Sequence, residues 1–148
     1  MVLENNEGFH CVVVSPQGKL LDCEVTSVVF TAHDGSVGVL RNHMPMLCQL
    51  GLGILEVKIL TPDSPWNGKE FILVNDGFVL VVANTLKVIA YEATSFKDMA
   101  ADRIERIVEK AQNKFDTGSF TPEQLPWEKK KLTLLVKLAE LSNIPVHK

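Results

Sequence analysis

Four histidines, three cysteines and a run of three lysines are the residues whose types could do chemistry. His10, His33, His43 and His147 could ligate a metal or carry a proton, but they lack metal-ligand spacing and none belongs to a His-Glu-x-x-His pattern. His10 and Cys11 are neighbours in an extended segment, so their side chains leave opposite faces and do not share a site. Cys11, Cys23 and Cys48 form no Cys-x-x-Cys pair, and any disulfide scheme leaves one over. Each sits in an apolar, strand-like setting that suits a buried structural thiol. Neither a Gly-x-Ser-x-Gly elbow nor a Gly-x-x-x-x-Gly-Lys-Ser/Thr phosphate loop is present. The pattern therefore supports no catalytic group, no metal and no cofactor. Lys129, Lys130 and Lys131, with Lys137 further on, read as a solvated helix face, the usual role of a charge run.

The elements that would carry these side chains change character along the chain. Residues 9 to 93 read as short strands, at 9–15, 18–23, 25–31, 36–40, 46–50, 54–60, 69–74, 78–83 and 86–91. Turns separate them at Ser15–Gly18, Asp34-Gly35, Gly51–Gly53, Asn75-Asp76-Gly77 and Asn84-Thr85, the Asn75–Gly77 stretch reading as a hairpin. About ten short strands at this spacing predict an antiparallel β-sandwich or barrel. The longest break is the loop from Thr61 to Gly68. Between two of the strands His43-Met44-Pro45 makes a polar corner, because proline cannot donate a ladder hydrogen bond. From the residues alone, His43 there reads as a loop histidine bound to a nearby carbonyl.

The period then changes to that of a helix. Ser95 with Asp98 resembles a capping box, and Ala100, Ile104, Ile107, Val108, Ala111 and Phe115 follow at helical spacing. Thr121-Pro122-Glu123-Gln124 is a second helix start, in conflict with Pro126, so the second helix is secure from about Trp127. It runs through Leu132, Leu134, Leu135, Leu138 and Leu141, with Pro145 beyond its end. The predicted class is α+β: a β-sandwich domain over 1–93, then an antiparallel two-helix hairpin over 94–148.

Composition narrows the class. Hydrophobic content of 46% and charged content of 22% fit a folded globular chain. A net charge of −3 and the absence of aromatic–basic interleaving argue against a nucleic-acid partner. The start, Met1 to Glu7, has no basic n-region or apolar h-region, so no signal peptide is expected. The apolar run from Phe78 to Ala83 is far below a membrane span, so any membrane association would come through a partner.

The segment from Asp34 to Leu50 resembles the epsilon-subunit family of F-type ATP synthases. Asp34, Gly35, Gly38, His43, Pro45 and Leu47 fall in register with that family's pattern. The opening strand from Phe9 to Ser15 is similar too, as is the pairing of Val74–Phe78 with Val88–Ala93, and the likeness extends over residues 8 to 114. It departs at Ser36, where many relatives carry an acid, and at Arg41-Asn42, which replaces Pro-Gly.

The resemblance implies a stalk component rather than a catalyst. The sandwich would hold the gamma subunit's foot on the rotor ring and turn with both, so that ring rotation driven by the proton gradient reaches the catalytic head. Asp34, Ser36, Arg41 and His43 would meet the ring or gamma. The hairpin would be a mobile regulator able to block ATP hydrolysis, with Arg103, Lys129, Lys130 and Lys131 meeting the alpha/beta head transiently. Some relatives bind ATP through an Ile/Leu-Asp-x-x-Arg-Ala motif. In register with it this chain keeps Arg103 but has Ala100 for the acid and Ile104 for the alanine, so no nucleotide site is expected. The missing transit peptide favours a bacterium, which implies a peripheral place on the cytoplasmic face of the inner membrane. The rival reading, from another class, is a free-standing β-sandwich module for ligand binding or interaction, carrying a helical appendage and needing a pocket with convergent polar groups.

Overall fold

The computed structural model describes residues 8–32, 35–60, 69–96 and 101–143. The described chain holds seven strands and two helices. These are β1 (Phe9–Ser15), β2 (Gly18–Ala32), β3 (Gly35–Val39), β4 (Met46–Leu50), β5 (Gly53–Ile59), β6 (Lys69–Val82), β7 (Thr85–Ser95), α1 (Ala101–Thr117) and α2 (Leu125–Asn143). It divides after Ser95 into two compact units.

Seven strands replace the expected ten or so because two long strands each absorb a predicted pair. In β2 the buried positions are Leu21 and Val25, then Val28, Phe30 and Ala32. The inward phase slips between Val25 and Val28, where a register shift interrupts the pairing with β5. A bulge turns the side chains over while the backbone ladder continues, so one strand runs through both the bulge and the break expected at Glu24.

The Asn75–Gly77 hairpin is also overturned. Those residues lie inside β6, which pairs with β7 from Ile72↔Ser95 to Val82↔Thr85. Asp76 and Gly77 both have positive φ, 63° and 143°, so they bend β6 without ending it. On the other side of β6 the partner changes at that bend. β4 pairs as far as Leu50↔Gly77, and β5 takes over from Gly53↔Val74. The actual turn between β6 and β7 is Ala83-Asn84, with φ 51° and 59°, the mirror-image geometry that suits a two-residue hairpin.

The sheet runs β1-β7-β6-β4-β2-β3, with β5 joining β2 and β6 and a further β1–β2 pairing. The ring of pairings β1–β7–β6–β5–β2–β1 closes the layers on themselves. All pairings are antiparallel except β1 with β7, which is parallel from His10↔Thr85 to Val14↔Ile89. Inside lie Val13, Val25, Val28, Phe30, Leu55, Val57, Ile72, Val79, Leu86 and Val88, all essentially without solvent contact. Each such side chain contributes about 1.5–3 kcal/mol by leaving water, and this one core holds all the strands.

In the second unit α1 and α2 pack on one another. Phe115 and Phe120 stack across their connection, with ring centroids 5.7 Å apart. The predicted capping box forms at Thr121: its Oγ1 accepts from Gln124 N at 3.2 Å, and its own N donates to Gln124 Oε1 at 3.2 Å. Pro126 lies in the first turn after this cap, where a missing N–H costs little. Ser95 is the last residue of β7, and its expected capping partner Asp98 lies outside the described residues. Lys97 to Ala100, Pro145 and the Thr61–Gly68 loop lie outside the described residues.

Candidate functional site

β3 and β4 meet at the corner that carries Arg41 and His43. Leu40 opens a four-residue turn closed by His43 N donating to Leu40 O at 3.2 Å. Asn42, its third residue, has φ 66°, as a type II turn requires at that place. Asn42 N donates to Asn84 Oδ1 at 2.7 Å, and Asn84 Nδ2 donates to Asn42 Oδ1 at 3.1 Å. Arg41 Nη1 donates to Gly8 O at 3.1 Å, and His10 N donates to Asn84 O at 3.0 Å. The corner, the β6–β7 turn and the start of β1 are thus tied together at one end of the sandwich.

His43 Nδ1 donates to Met44 O at 2.8 Å. A carbonyl only accepts, so the proton sits on Nδ1 and leaves Nε2 as the acceptor of the neutral ring. Around this pair of polar residues Leu40, Met44 and Leu47 are 65%, 72% and 71% exposed. Three large apolar side chains held in water at one corner mark a surface built to be covered. The apolar character continues along the sheet, since Leu47 faces Leu80 across β4–β6 and Phe78 faces Ile89 across β6–β7. Leu80, Phe78 and Ile89 are all exposed.

The structure brings together only part of the predicted contact set. Arg41 and His43 share one turn. Ser36 pairs with Thr31 near the start of β3, five residues before Arg41, or about 16 Å along an extended strand. Asp34 lies outside the described residues. In the helical unit Arg103 is exposed on α1 and Ile104 beside it is buried. Met99 and Ala100 of the nucleotide motif register lie outside the described residues. Lys129 and Lys130 are exposed on α2, whereas Lys131 turns back so that Nζ lies 5.2 Å from the Trp127 ring centroid, within cation–π range. The run therefore does not present three equivalent charges.

Two features escaped the sequence. The first is the Asn42–Asn84 pairing, which no local pattern signals. The second is a charged cluster on the outer face of β1 and β2. His10 Nε2 lies 2.6 Å from Asp22 Oδ1 and His10 Nδ1 lies 2.8 Å from Glu24 Oε2, while Lys19 Nζ donates to Asp22 Oδ2 at 2.8 Å. Hydrogen bonding to Glu24 above all, then to Asp22, raises the His10 pKa, against an opposing effect of burial. Hydrogen bonds from Lys19 first and His10 second lower that of Asp22. Among the described residues no group of three or more His, Cys, Asp or Glu is arranged to hold a metal ion. Cys11 faces Cys23 across β1–β2. Burial first, then the neighbouring Cys23, pushes the Cys11 thiol up to about 12, which makes it a poor nucleophile. Cys11 is buried as expected, but Cys23 and Cys48 are only half-buried. No described helix is long and apolar enough to cross a membrane.

Comparison with known proteins agrees with this architecture. Residues 8–96 match the family model "ATP synthase, Delta/Epsilon chain, beta-sandwich domain". The ATP synthase epsilon chain of Dichelobacter nodosus is 27% identical over 143 residues, covering 95% of this chain and 96% of its own length. That of Rhodopirellula baltica is 32% identical over 114 residues, covering 77% and 82%. Among solved structures, a chain of the Tetrahymena thermophila mitochondrial ATP synthase central stalk/c-ring shares the fold, with TM-score 0.59 at 16% identity over 88% of this chain and 95% of that one. A family match across the whole sandwich, and over more than half of the residues, carries the conclusion that the chain belongs to the delta/epsilon chains of ATP synthase.

Proposed function

We propose that this protein is a non-catalytic stalk subunit of an ATP synthase, of epsilon type, which joins the rotor ring to the gamma subunit and turns with them. The observation that carries the reading is the corner at Leu40–Leu47: exposed apolar side chains around Arg41 and His43, on a turn fastened to a closed sandwich. A part that passes on rotation needs such a rigid body with a firmly held contact, because a loose one would lose displacement in its own deformation. Arg41 and His43 supply hydrogen-bond donors and an acceptor toward ring loops, while the apolar outer face of β4, β6 and β7 suits gamma. Ser36, near the start of β3, belongs to the same proposed contact surface but to its margin, and Asp34 is assigned to it by the family resemblance alone.

The hairpin acts as regulator in this reading. Arg103, Lys129 and Lys130 offer positive charge to acidic elements of the alpha/beta head, and Lys131 is held partly against Trp127. The subunit is peripheral, reaching the membrane through the ring, on the cytoplasmic face in a bacterial cell. It needs no cofactor of its own.

Among the described residues the ligand-binding alternative can call on an open groove of about 610 Å3 beside the Pro16-Gln17 turn, lined by residues including Lys19, Glu92 and Thr94. It is a surface trough, and the family membership does not favour it. Co-purification decides the matter. The tagged chain should recover gamma at one-to-one stoichiometry together with the ring. Recovery as a lone monomer from cells that assemble the synthase would rule the stalk role out.

A further inference from the structure

The turn that presents Arg41 and His43 has only part of the local support such a turn can have. A type II turn prefers proline second and glycine or asparagine third; this one has Asn42 third, at φ 66°, but Arg41 where proline would fix the backbone. Beside its own bond from His43 N to Leu40 O, it is held from elsewhere in the chain. The Asn84 side-chain amide both accepts from Asn42 N, at 2.7 Å, and donates to Asn42 Oδ1, at 3.1 Å. The Asn84 carbonyl also accepts from His10 N at 3.0 Å. Asn84 is in turn fixed by the Ala83-Asn84 hairpin turn, between the long paired strands β6 and β7.

We propose that Asn84 is a positioning residue for the rotor contact: it touches no partner, but its side-chain amide pre-orders the turn so that Arg41 and His43 meet the ring already in place. The inference rests on the reading of the corner as that contact. Binding by a loop that must first be ordered is weakened by the fraction of time it is disordered. A latch of two hydrogen bonds therefore acts on affinity without adding a contact.

The discriminating variant is Asn84→Gly. Glycine accepts the positive φ that the hairpin turn needs, so the strands stay paired while the side-chain amide is lost. In the full chain, amide exchange at Asn42 and His43 should rise by about tenfold, with core amides of β6 and β7 unchanged. Affinity for an assembled gamma–ring complex should fall about three- to tenfold. Adding Asn42→Gly, which gives the turn its own preference for positive φ, should recover much of that loss; a purely destabilised β6–β7 hairpin would not be rescued by a change in the other turn. Unchanged exchange at Asn42 and His43 would overturn the latch. So would a loosened turn with undiminished binding, provided that Arg41→Ala/His43→Ala binds weakly. If that double variant binds as tightly as the parent, the corner is not the contact, and the reading beneath the inference fails with it.

Discussion

Asn42 and Asn84 lie 42 positions apart, yet each holds the other's side chain at positive φ, through bonds of 2.7 and 3.1 Å. Asparagine tolerates this backbone region better than other residues with a β-carbon. The pair therefore combines two mildly strained turns into one junction, and neither residue is exchangeable for an ordinary polar one.

Replacing Asn42 by alanine should destabilise the chain by about 1–2 kcal/mol, from the αL cost plus the lost amide contact. Asn42→Gly should cost less, since glycine removes the conformational part. Urea unfolding of the two variants side by side checks the order, and a larger loss for glycine would refute the strain argument.

Gly77→Ala should be far worse. A β-carbon at Gly77 would stand 2.1 Å from Ile89 O and 2.8 Å from Ala90 Cα, at φ 143°. Both obstacles are backbone, so β6 and β7 would have to separate there. The expected loss is about 3 kcal/mol or more, seen as a large drop in denaturation midpoint. A loss under 1 kcal/mol would mean the bend relaxes freely.

The His10 cluster sets a pH window. The His10 pKa is raised on folding, so its stabilisation is fully present below the ordinary value of 6.5 and disappears as pH rises through the higher folded value. Asp22 is lowered, so its part is present above 3.8 and disappears as pH falls through the lower folded value. Both contribute between those two reference values. Solvent exposure limits the effect to about 1–3 °C in Tm. The difference in Tm between the parent and His10→Gln should be largest near pH 5.5 and shrink by pH 8.5; a difference that grows with pH would contradict the geometry.

A chain stopped after Phe96 should still fold as a sandwich and assemble, because every strand is complete by Ser95. If the hairpin restrains the enzyme, the assembled truncated complex should hydrolyse ATP roughly fivefold faster. Charge reversal at Lys129 and Lys130 should act in the same direction, and reversal at Lys131 less, because that side chain is engaged with Trp127. Equal hydrolysis rates in all of these complexes would remove the regulatory role.

The sequence revealed the fold class because alternation such as Phe9, Cys11 and Val13 inward against His10 and Val12 outward is written locally. It misplaced boundaries where local signals had other uses. Asn75-Asp76-Gly77 has the composition of a hairpin and serves as a bend, because β7 continues to pair past it. The break expected at Glu24 is no strand end, because β2 runs through it and past the bulge between Val25 and Ser27. The parallel pairing of β1 with β7 had no sequence signal at all, being set by the closure of the sheet. At the candidate site, His43 was visible through the chemistry of the corner and Arg41 only through the family resemblance, but Asn84 was hidden because its role depends on a turn folded from the other half of the domain.

That parallel pairing also bears on the order in which the domain can form. β1 leaves the ribosome first, yet its neighbour β7 ends at Ser95. The β1–β2 hairpin can close early on its own local contacts, but one edge of β1 stays unsatisfied until the last strand arrives, and so does Asn84, whose turn immediately precedes that strand. Contacts of such long sequence separation are slow to form. During synthesis the nascent chain therefore carries an open edge, and the corner that carries Arg41 and His43 is among the last parts of the sandwich to become fixed.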